Sequence, residues 1–527
     1  MEGALSRASP NLPQLIRELF ESDAYPNRPT HVELIETHIS WVFLAGDFAY
    51  KIKKPLALGF LDFRELEQRR FYCEEEIRLN QPFAPEIYIG VVKITLQNKR
   101  PRVEGRGVAI EYAVKMHRFD QALRLDKQLE NGLLRAEDMR ELGANIAARH
   151  EAAGIVPDSQ RQHVLDLTES QMQDNFTALR SRIDDGLLSP LYEWTQRALQ
   201  RLRPVIGQRF DQGFFRDCHG DLHLANLLRL PSGITTFDCI EFSADLRYID
   251  VACDIAFLVM DLESKQRGDL AAHFINRYFE RTDDYGSMRL FDLYFIYRCL
   301  VRAKVDAIRA SERDDDVARQ ADLDEATRYC SIAARQAATR HPLLIVMHGV
   351  SGSGKTWVSE RLMAALPAIR IRSDLLRKRL FGLAESKKSG SAVGEGIYLS
   401  SADDDVHAEM RRRAEPVLGE RHNVILDATF LHREQRAQAI QLAHEFGAKL
   451  VFVKATVPQE ELRRRILARQ QRGADASEAD LAVLEYQLKV LESMTDFEES
   501  QSITIDSRDA DAMLHLPEQV RETSNQA

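Results

Sequence analysis

Gly349-Val350-Ser351-Gly352-Ser353-Gly354-Lys355-Thr356 decides how the last third of this 527-residue chain folds. The stretch follows an apolar run, Leu343 to Met347, and precedes a helical pattern from Trp357 to Leu366. A strand, GxxxxGK[ST] and a helix in that order build a cradle for phosphate. Gly349, Gly352 and Gly354, with Ser351 and Ser353 between them, let the backbone curl until amide N–H groups and a helix N-terminus face an anion. Lys355 would reach the β- and γ-phosphates of ATP, and Thr356 would offer its hydroxyl to Mg²⁺. A Gly/Ser-rich turn that binds nothing would not need the strand, the lysine and the threonine together.

Around that loop, β and α patterns alternate. Strands are predicted at 343–348, 368–372, 423–427, 450–455 and 502–506 with helices between them, the pattern of a doubly wound parallel sheet. Ligands gather at the carboxyl ends of such strands. Asp374, just past the second strand, would orient an acceptor hydroxyl or cap the next helix, and Arg377 would hold an anionic group. Asp427 ends the apolar strand Val424-Ile425-Leu426 and is a candidate carboxylate for Mg²⁺. Arg463, Arg464, Arg465, Arg469 and Arg472 lie on or just after one helix. They read as a lid, with Arg469 and Arg472 over the nucleotide, or as a solvated basic face. Lys387 to Gly396 reads as a loop.

The remaining two thirds must do something else. The length calls for two to four domains, and 44% hydrophobic and 29% charged residues describe an ordinary globular protein. A net charge of −10 argues against nucleic acid as a partner. No run reaches the length of a membrane span and Met1 to Leu12 carries no apolar signal core, so a cytoplasmic location is expected. Six scattered cysteines without a CxxC pair point to a reducing compartment rather than a disulfide framework.

Residues 1–24 read as a lead-in with a short helix, Leu12 to Phe20. Residues 25–118 are β-rich: two runs flank Ala45-Gly46-Asp47 as a hairpin, a helix covers Phe63 to Asn80, and strands are predicted at 87–95 and 108–114. Residues 119–310 are largely helical, 311–340 form a charged helical linker, and 341–527 carry the phosphate loop. Inside the helical part, a compact β-rich insert near 213–242 holds His219-Gly220-Asp221-Leu222-His223-Leu224-Ala225-Asn226. A carboxylate five positions before a carboxamide matches the HxDxxxxN loop of protein kinases, with Gly in place of Arg. Asp221 would accept the proton of an acceptor hydroxyl, and Asn226 would hold Mg²⁺. Asp238, twelve residues on, could take the same metal. The alternative for each residue is an ordinary turn or core position.

On these residues, 25–310 resembles the aminoglycoside phosphotransferase family, which implies a bilobal protein-kinase-like fold with ATP between the lobes. By that resemblance Lys51 of Ala49-Tyr50-Lys51 would neutralise the α/β-phosphates, with Lys53 the competing candidate. Glu76 would pair with that lysine, and Glu111-Tyr112-Ala113-Val114 would form the hinge that meets adenine. Asp250 and Asp254 would stabilise the lobe. The expected GxGxxG loop is missing. The C-terminal part resembles small-molecule P-loop kinases of the gluconate kinase and polynucleotide kinase type. The joined order resembles bacterial bifunctional aminoglycoside phosphotransferase/ATP-binding proteins. The fold class expected is therefore multidomain α/β: a kinase-like bilobal fold followed by a P-loop NTPase domain.

The function expected is phosphoryl transfer to small-molecule hydroxyls from two ATP·Mg²⁺ sites. Asp221 serves as base in one, and Lys355 and Asp374 act in the other. The competing readings are a regulatory ATP-binding protein, one of whose modules senses nucleotide, and a polynucleotide end kinase. Fold names do not choose the acceptor or the oligomeric state.

Overall fold

The computed structural model describes residues 4–5, 12–58, 61–384, 400–472 and 479–526. The loop expected at 387–396 lies outside them. They fall into two compact units, one of Met1–Leu134, Ala152–Leu167 and Arg209–Leu258, the other of Arg135–Glu151, Thr168–Gln208 and Val259–Ala527.

The first unit is built on a seven-stranded antiparallel sheet. In chain order its strands are β1 (Ala4–Leu5), β2 (Val32–Glu36), β3 (Ser40–Ala45), β4 (Phe48–Lys53), β5 (Tyr88–Gln97), β6 (Arg100–Val103) and β7 (Ala109–His117), arranged β1-β2-β3-β4-β7-β5-β6. The β3–β4 hairpin turns at Gly46, whose φ of +67° suits a residue without Cβ. Because side chains alternate along a strand, Phe43, Tyr50 and Ile52 enter one core. Leu44, Ala49 and Val114 enter another, shared with Cys73 of helix α1 (Leu66–Asn80). The same second core takes Leu228 from β8 (Leu227–Leu230), which pairs with β9 (Gly233–Thr236) in a small hairpin.

Residues 111–114 are not a hinge. They lie inside β7, laddered to β5 from Ile94↔Glu111 through Val91↔Val114, and the Glu111 carboxylate is spent on buried Arg69 (Nε–Oε2 2.9 Å). The strand ends only at His117. An apolar run such as Ala113-Val114 reads equally well as mid-strand or strand end, so spacing alone misplaced it.

The second unit joins helices to a parallel sheet. Its helices include α2 (Ala136–Ala152), α3 (Gly268–Thr282), α4 (Met288–Ser311) and α5 (Asp316–Ala337). The charged run from Glu312 to Asp316 is a tight break between α4 and α5. Asp315 caps α5 by accepting from Ala318 N (2.8 Å), and Arg309 and Arg313 both bond Asp322. The sheet has β10 (Leu343–His348) at its centre, with α6 (Lys355–Ala365), β11 (Ala368–Arg372), α7 (Ser373–Leu380), β12 (Asn423–Asp427), β13 (Lys449–Thr456), α8 (Gln459–Arg472), α9 (Leu481–Val490) and β14 (Ser502–Asp506). All five strands are parallel, in the order β11-β12-β10-β13-β14. Every residue of β10 is buried, as a parallel strand covered on both faces requires. Arg372 stands opposite Asp427 in the register, so the chain leaves β11 and β12 side by side at the end where the glycine loop leaves β10. Among the described residues no helix is long and apolar enough to cross a membrane, and all six cysteines are buried thiols.

Candidate functional site

Each unit gathers one set of reactive side chains. In the first, Lys51 and Lys53 are two apart on β4, so both ammonium groups emerge on the same face. Glu76 of α1 meets both, with Oε1 3.0 Å from Lys51 Nζ and Oε2 2.9 Å from Lys53 Nζ. The two lysines then diverge. Lys51 reaches Asp238 Oδ1 at 2.6 Å, whereas Lys53, with no exposed side-chain surface, bonds Glu241. Burial alone would push Lys53 towards its neutral form, but Glu241 and Glu76 outweigh it and hold the ammonium above its usual range. Burial likewise opposes the Glu76 carboxylate, yet the two lysines bring it down to about 2. Lys51 therefore faces the metal-ligand candidate, and Lys53 is a buried strut.

Histidine tautomers order the loop beside them. Asp221 N donates to His219 Nδ1, so Nε2 carries the proton that binds Phe237 O at 2.9 Å. In the same way Ala225 N donates to His223 Nδ1, which leaves His223 Nε2–H to face Asp221 Oδ2 at 3.3 Å. Asn226 Nδ2 donates to that oxygen too, at 2.9 Å. Asp254 accepts from the N–H groups of His219 and Gly220, and Asp250 binds Arg209 through both oxygens. Gly220 is obligatory: its φ is +81°, and a Cβ would stand 2.7 Å from Leu246 O. Asp238 sits at φ +57° and donates its N–H to Tyr88 Oη, while Cys239 N donates to Asn80, one helical turn beyond Glu76.

These residues suit Mg²⁺. With Asn226 Nδ2 turned to Asp221, its carbonyl oxygen accepts no hydrogen bond among the described residues; neither does Asp238 Oδ2. Hard oxygen donors of this kind are what magnesium takes.

In the second unit the glycine loop, Asp374, Asp427, Arg377, Arg465 and Arg469 line one cavity of about 440 Å³. Gly354 has φ +94°, and a Cβ there would meet Ser507 Oγ at 2.5 Å, so the loop's curvature depends on glycine. Ser353 Oγ is buried with no hydrogen-bond partner among the described residues. Lys355 Nζ donates to Val350 O at 2.9 Å, within its own loop. Burial pushes its pKa down to about 8 against the pull of Asp427 and Asp374. Asp427 Oδ2 accepts from Ser359 at 2.8 Å, and Thr356 lies in the same cavity wall. The donor set of Thr356 and Asp427 is again all oxygen and fits magnesium. Asp374 makes no helix cap: α7 is preceded by Arg372, with no side-chain capping bond.

The arginine cluster splits by helical phase. Arg465 and Arg469, four apart, face the cavity; Arg465 bonds Ser507 Oγ (2.8 Å) and Arg469 bonds Ala479 O (2.8 Å). Arg463 and Arg464 point to Glu485 and Glu461 at the surface. The side chain of Arg472 lies outside the described ones. Sequence reading missed Glu241, Ser359, Glu360 and Gln487. Gln487 Oε1 accepts from the loop amide of Ser351 at 2.7 Å. Only Glu241 left a sequence signal, as a second carboxylate three residues after Asp238.

Family models cut the chain differently from the two compact units: the first match runs through both, and the second lies within the second unit. Residues 107–291 match the model of a phosphotransferase enzyme family, and residues 344–494 match that of an AAA domain. An uncharacterized protein of Mycobacterium tuberculosis (strain ATCC 25618 / H37Rv) is 29% identical over 467 residues, 88% of this chain and 91% of its own. The chain is also similar to a choline kinase from Cryptosporidium parvum Iowa II, with a TM-score of 0.34 and 14% identity over 61% of this chain and 96% of that one. A gluconokinase from Sinorhizobium meliloti 1021 gives a TM-score of 0.25 and 22% identity over 36% of this chain and 94% of that one. The chain thus carries a kinase-like domain of the phosphotransferase enzyme family followed by a P-loop kinase-like AAA domain.

Proposed function

We propose that the protein is a bifunctional, ATP-dependent phosphotransferase acting on hydroxyl groups of small molecules, with a separate ATP·Mg²⁺ site in each domain. The observation that carries this reading is the convergence of Lys355, Thr356, Asp374, Asp427, Arg465 and Arg469 on one cavity of about 440 Å³. Magnesium, held by Asn226 and Asp238 in one site and by Thr356 and Asp427 in the other, would neutralise phosphate charge.

The protein's own residues supply the rest. At the kinase-like site Lys51 offsets the negative charge of the nucleotide, and Glu76 holds it in line. Asp221 takes the proton of the acceptor hydroxyl as its oxygen bonds the γ-phosphorus and the bond from that phosphorus to the ADP oxygen breaks; His223 and Asn226 fix its carboxylate by hydrogen bonds. At the P-loop site Lys355 exchanges Val350 O for a phosphate oxygen. Arg465 and Arg469 stabilise the charge that develops on transfer, and Asp374 orients the acceptor hydroxyl.

The test is transfer of label from γ-labelled ATP to a panel of polyols, amino alcohols and aminoglycosides. Asp221→Ala and Lys355→Ala each abolish one set of products and leave the other. No labelled product from any panel member with the unsubstituted protein ends the reading.

A further inference from the structure

β11 leads directly into Asp374, yet it is the outer strand of its sheet, so one side of its backbone has no strand partner among the described residues. Asn276 of α3, 2% exposed, occupies that side. Its Nδ2 donates to Ala368 O at 2.9 Å and its Oδ1 accepts from Arg370 N at 2.6 Å. One side-chain amide thereby makes the pair of bonds a sixth strand would make, and it covers an edge that would otherwise leave buried polar groups unpaired.

The neighbours on the same helical face extend the contact. Ala272, one turn earlier, packs in one core with Leu366 and Ala368. Glu280, one turn later, holds Arg370 (3.3 Å) and Arg372 (3.7 Å). Burial raises the Glu280 carboxyl, but these arginines outweigh it and keep the group ionised.

A second contact enters the cavity wall itself. Glu360 lies one turn beyond Thr356 on α6 and lines the cavity with Asp374 and Arg377. Its Oε1 bonds the Arg140 guanidinium of α2, and His273 Nδ1 of α3 lies 3.9 Å from the same oxygen. Arg140 and Asn276 belong to the stretch that matches the phosphotransferase family, Ala368 and Glu360 to the stretch that matches the AAA domain.

We propose that the acceptor half of the P-loop site is completed in cis by helices of the phosphotransferase domain. Asn276 and Glu280 hold the strand that presents Asp374, and Arg140 is a positioning residue for Glu360, which faces the acceptor. The word acceptor rests on the function proposed above; the contacts do not. Phosphoryl transfer by the second domain then requires the first domain's helices, whatever the first domain itself phosphorylates.

The experiment uses the full chain with Trp41→Phe and Trp194→Phe, so that Trp357, next to Thr356 in the cavity wall, reports MgATP binding by fluorescence. For Arg140→Met the MgATP midpoint stays within about twofold of the parent, while the acceptor KM rises about tenfold with kcat within about threefold. Arg140→Lys, which keeps the cation, recovers most of that loss. For Asn276→Leu the amides of 368–374 exchange hydrogen about tenfold faster with the central strand unchanged. Asn276→Asp, which keeps the acceptor for Arg370 N, gives a smaller effect and serves if the leucine variant fails to fold. A parent protein that transfers to no acceptor defeats the proposed function, and hydrogen exchange then decides this inference. Faster exchange at 368–374 in the Asn276 variants and at 357–361 in Arg140→Met supports it; unchanged exchange in both overturns it. An unchanged acceptor KM in Arg140→Met overturns it as well.

Discussion

Replacing Glu76 by glutamine tests whether the kinase-like site is held by one carboxylate shared between two lysines. The native side chain has no exposed surface and bonds Lys51 at 3.0 Å and Lys53 at 2.9 Å. Glutamine keeps the shape but removes the charge and turns a donor towards an ammonium. The carboxyl falls from 4.5 to about 2 in the fold, which corresponds to about 3 kcal/mol of stability at neutral pH. Breaking a buried ion pair costs about 3–5 kcal/mol by a separate route, so the two agree. The sign follows from a folded pKa below the unfolded one. The stabilisation is complete above the unfolded value and is lost as pH falls towards about 2. At pH 3 only about 1 kcal/mol should remain. The assay is urea unfolding followed by Trp41, which lies on β3, in a Trp194→Phe, Trp357→Phe background. A loss below about 1 kcal/mol at pH 7, or a difference that does not shrink at pH 3, would show that the shared carboxylate does not hold the site.

Three other outcomes are expected. Lys51→Met abolishes turnover at the kinase-like site and changes stability less than Lys53→Met. The latter strands Glu241 and costs about 3 kcal/mol or more in the same unfolding assay; equal effects would erase the distinction between the two lysines. MgATP affinity at the P-loop falls as pH rises through about 8. Free Lys355 loses its proton there while bound phosphates keep it charged, so binding takes up a proton. The fall approaches about tenfold per pH unit, read from Trp357 quenching between about pH 7 and pH 9.5, and a flat profile contradicts it. Arg465→Ala weakens MgATP binding about tenfold, whereas Arg464→Ala leaves it unchanged in the same titration; the reverse order would place the lid on the other helix face.

Residues whose chemistry depends on their immediate neighbours were legible before any fold was known. The phosphate loop is one, because Gly349, Gly352 and Gly354 answer a local demand for positive φ and close packing, and that demand is written in consecutive residues. His219 to Asn226 is another, since Asp221 and Asn226 meet within one turn of chain. The three inner strands β10, β12 and β13 followed from apolar runs, and the outer two from their place in the β–α alternation. Helical phase separates Arg465 and Arg469 from Arg463 and Arg464, yet nothing in the periodicity tells which phase faces the cavity.

Other assignments waited for the fold because they depend on pairings between distant segments. Lys51 and Lys53 share one face of β4 and look equivalent along the chain; they differ only because Asp238 and Glu241, some 190 residues away, approach one each. Residues 111–114 became mid-strand rather than hinge once β5 supplied their ladder. Asn276 and Arg140 carried no motif at all. Their roles arise where an outer strand and a cavity wall leave backbone and carboxylate groups needing partners. Glycine demands and strand alternation act over a few residues, so the glycine loop and the His219–Asn226 loop stand out along the chain. Which charges are paired and which face the cavities emerged with the fold, because burial and ion pairing join segments from across the chain.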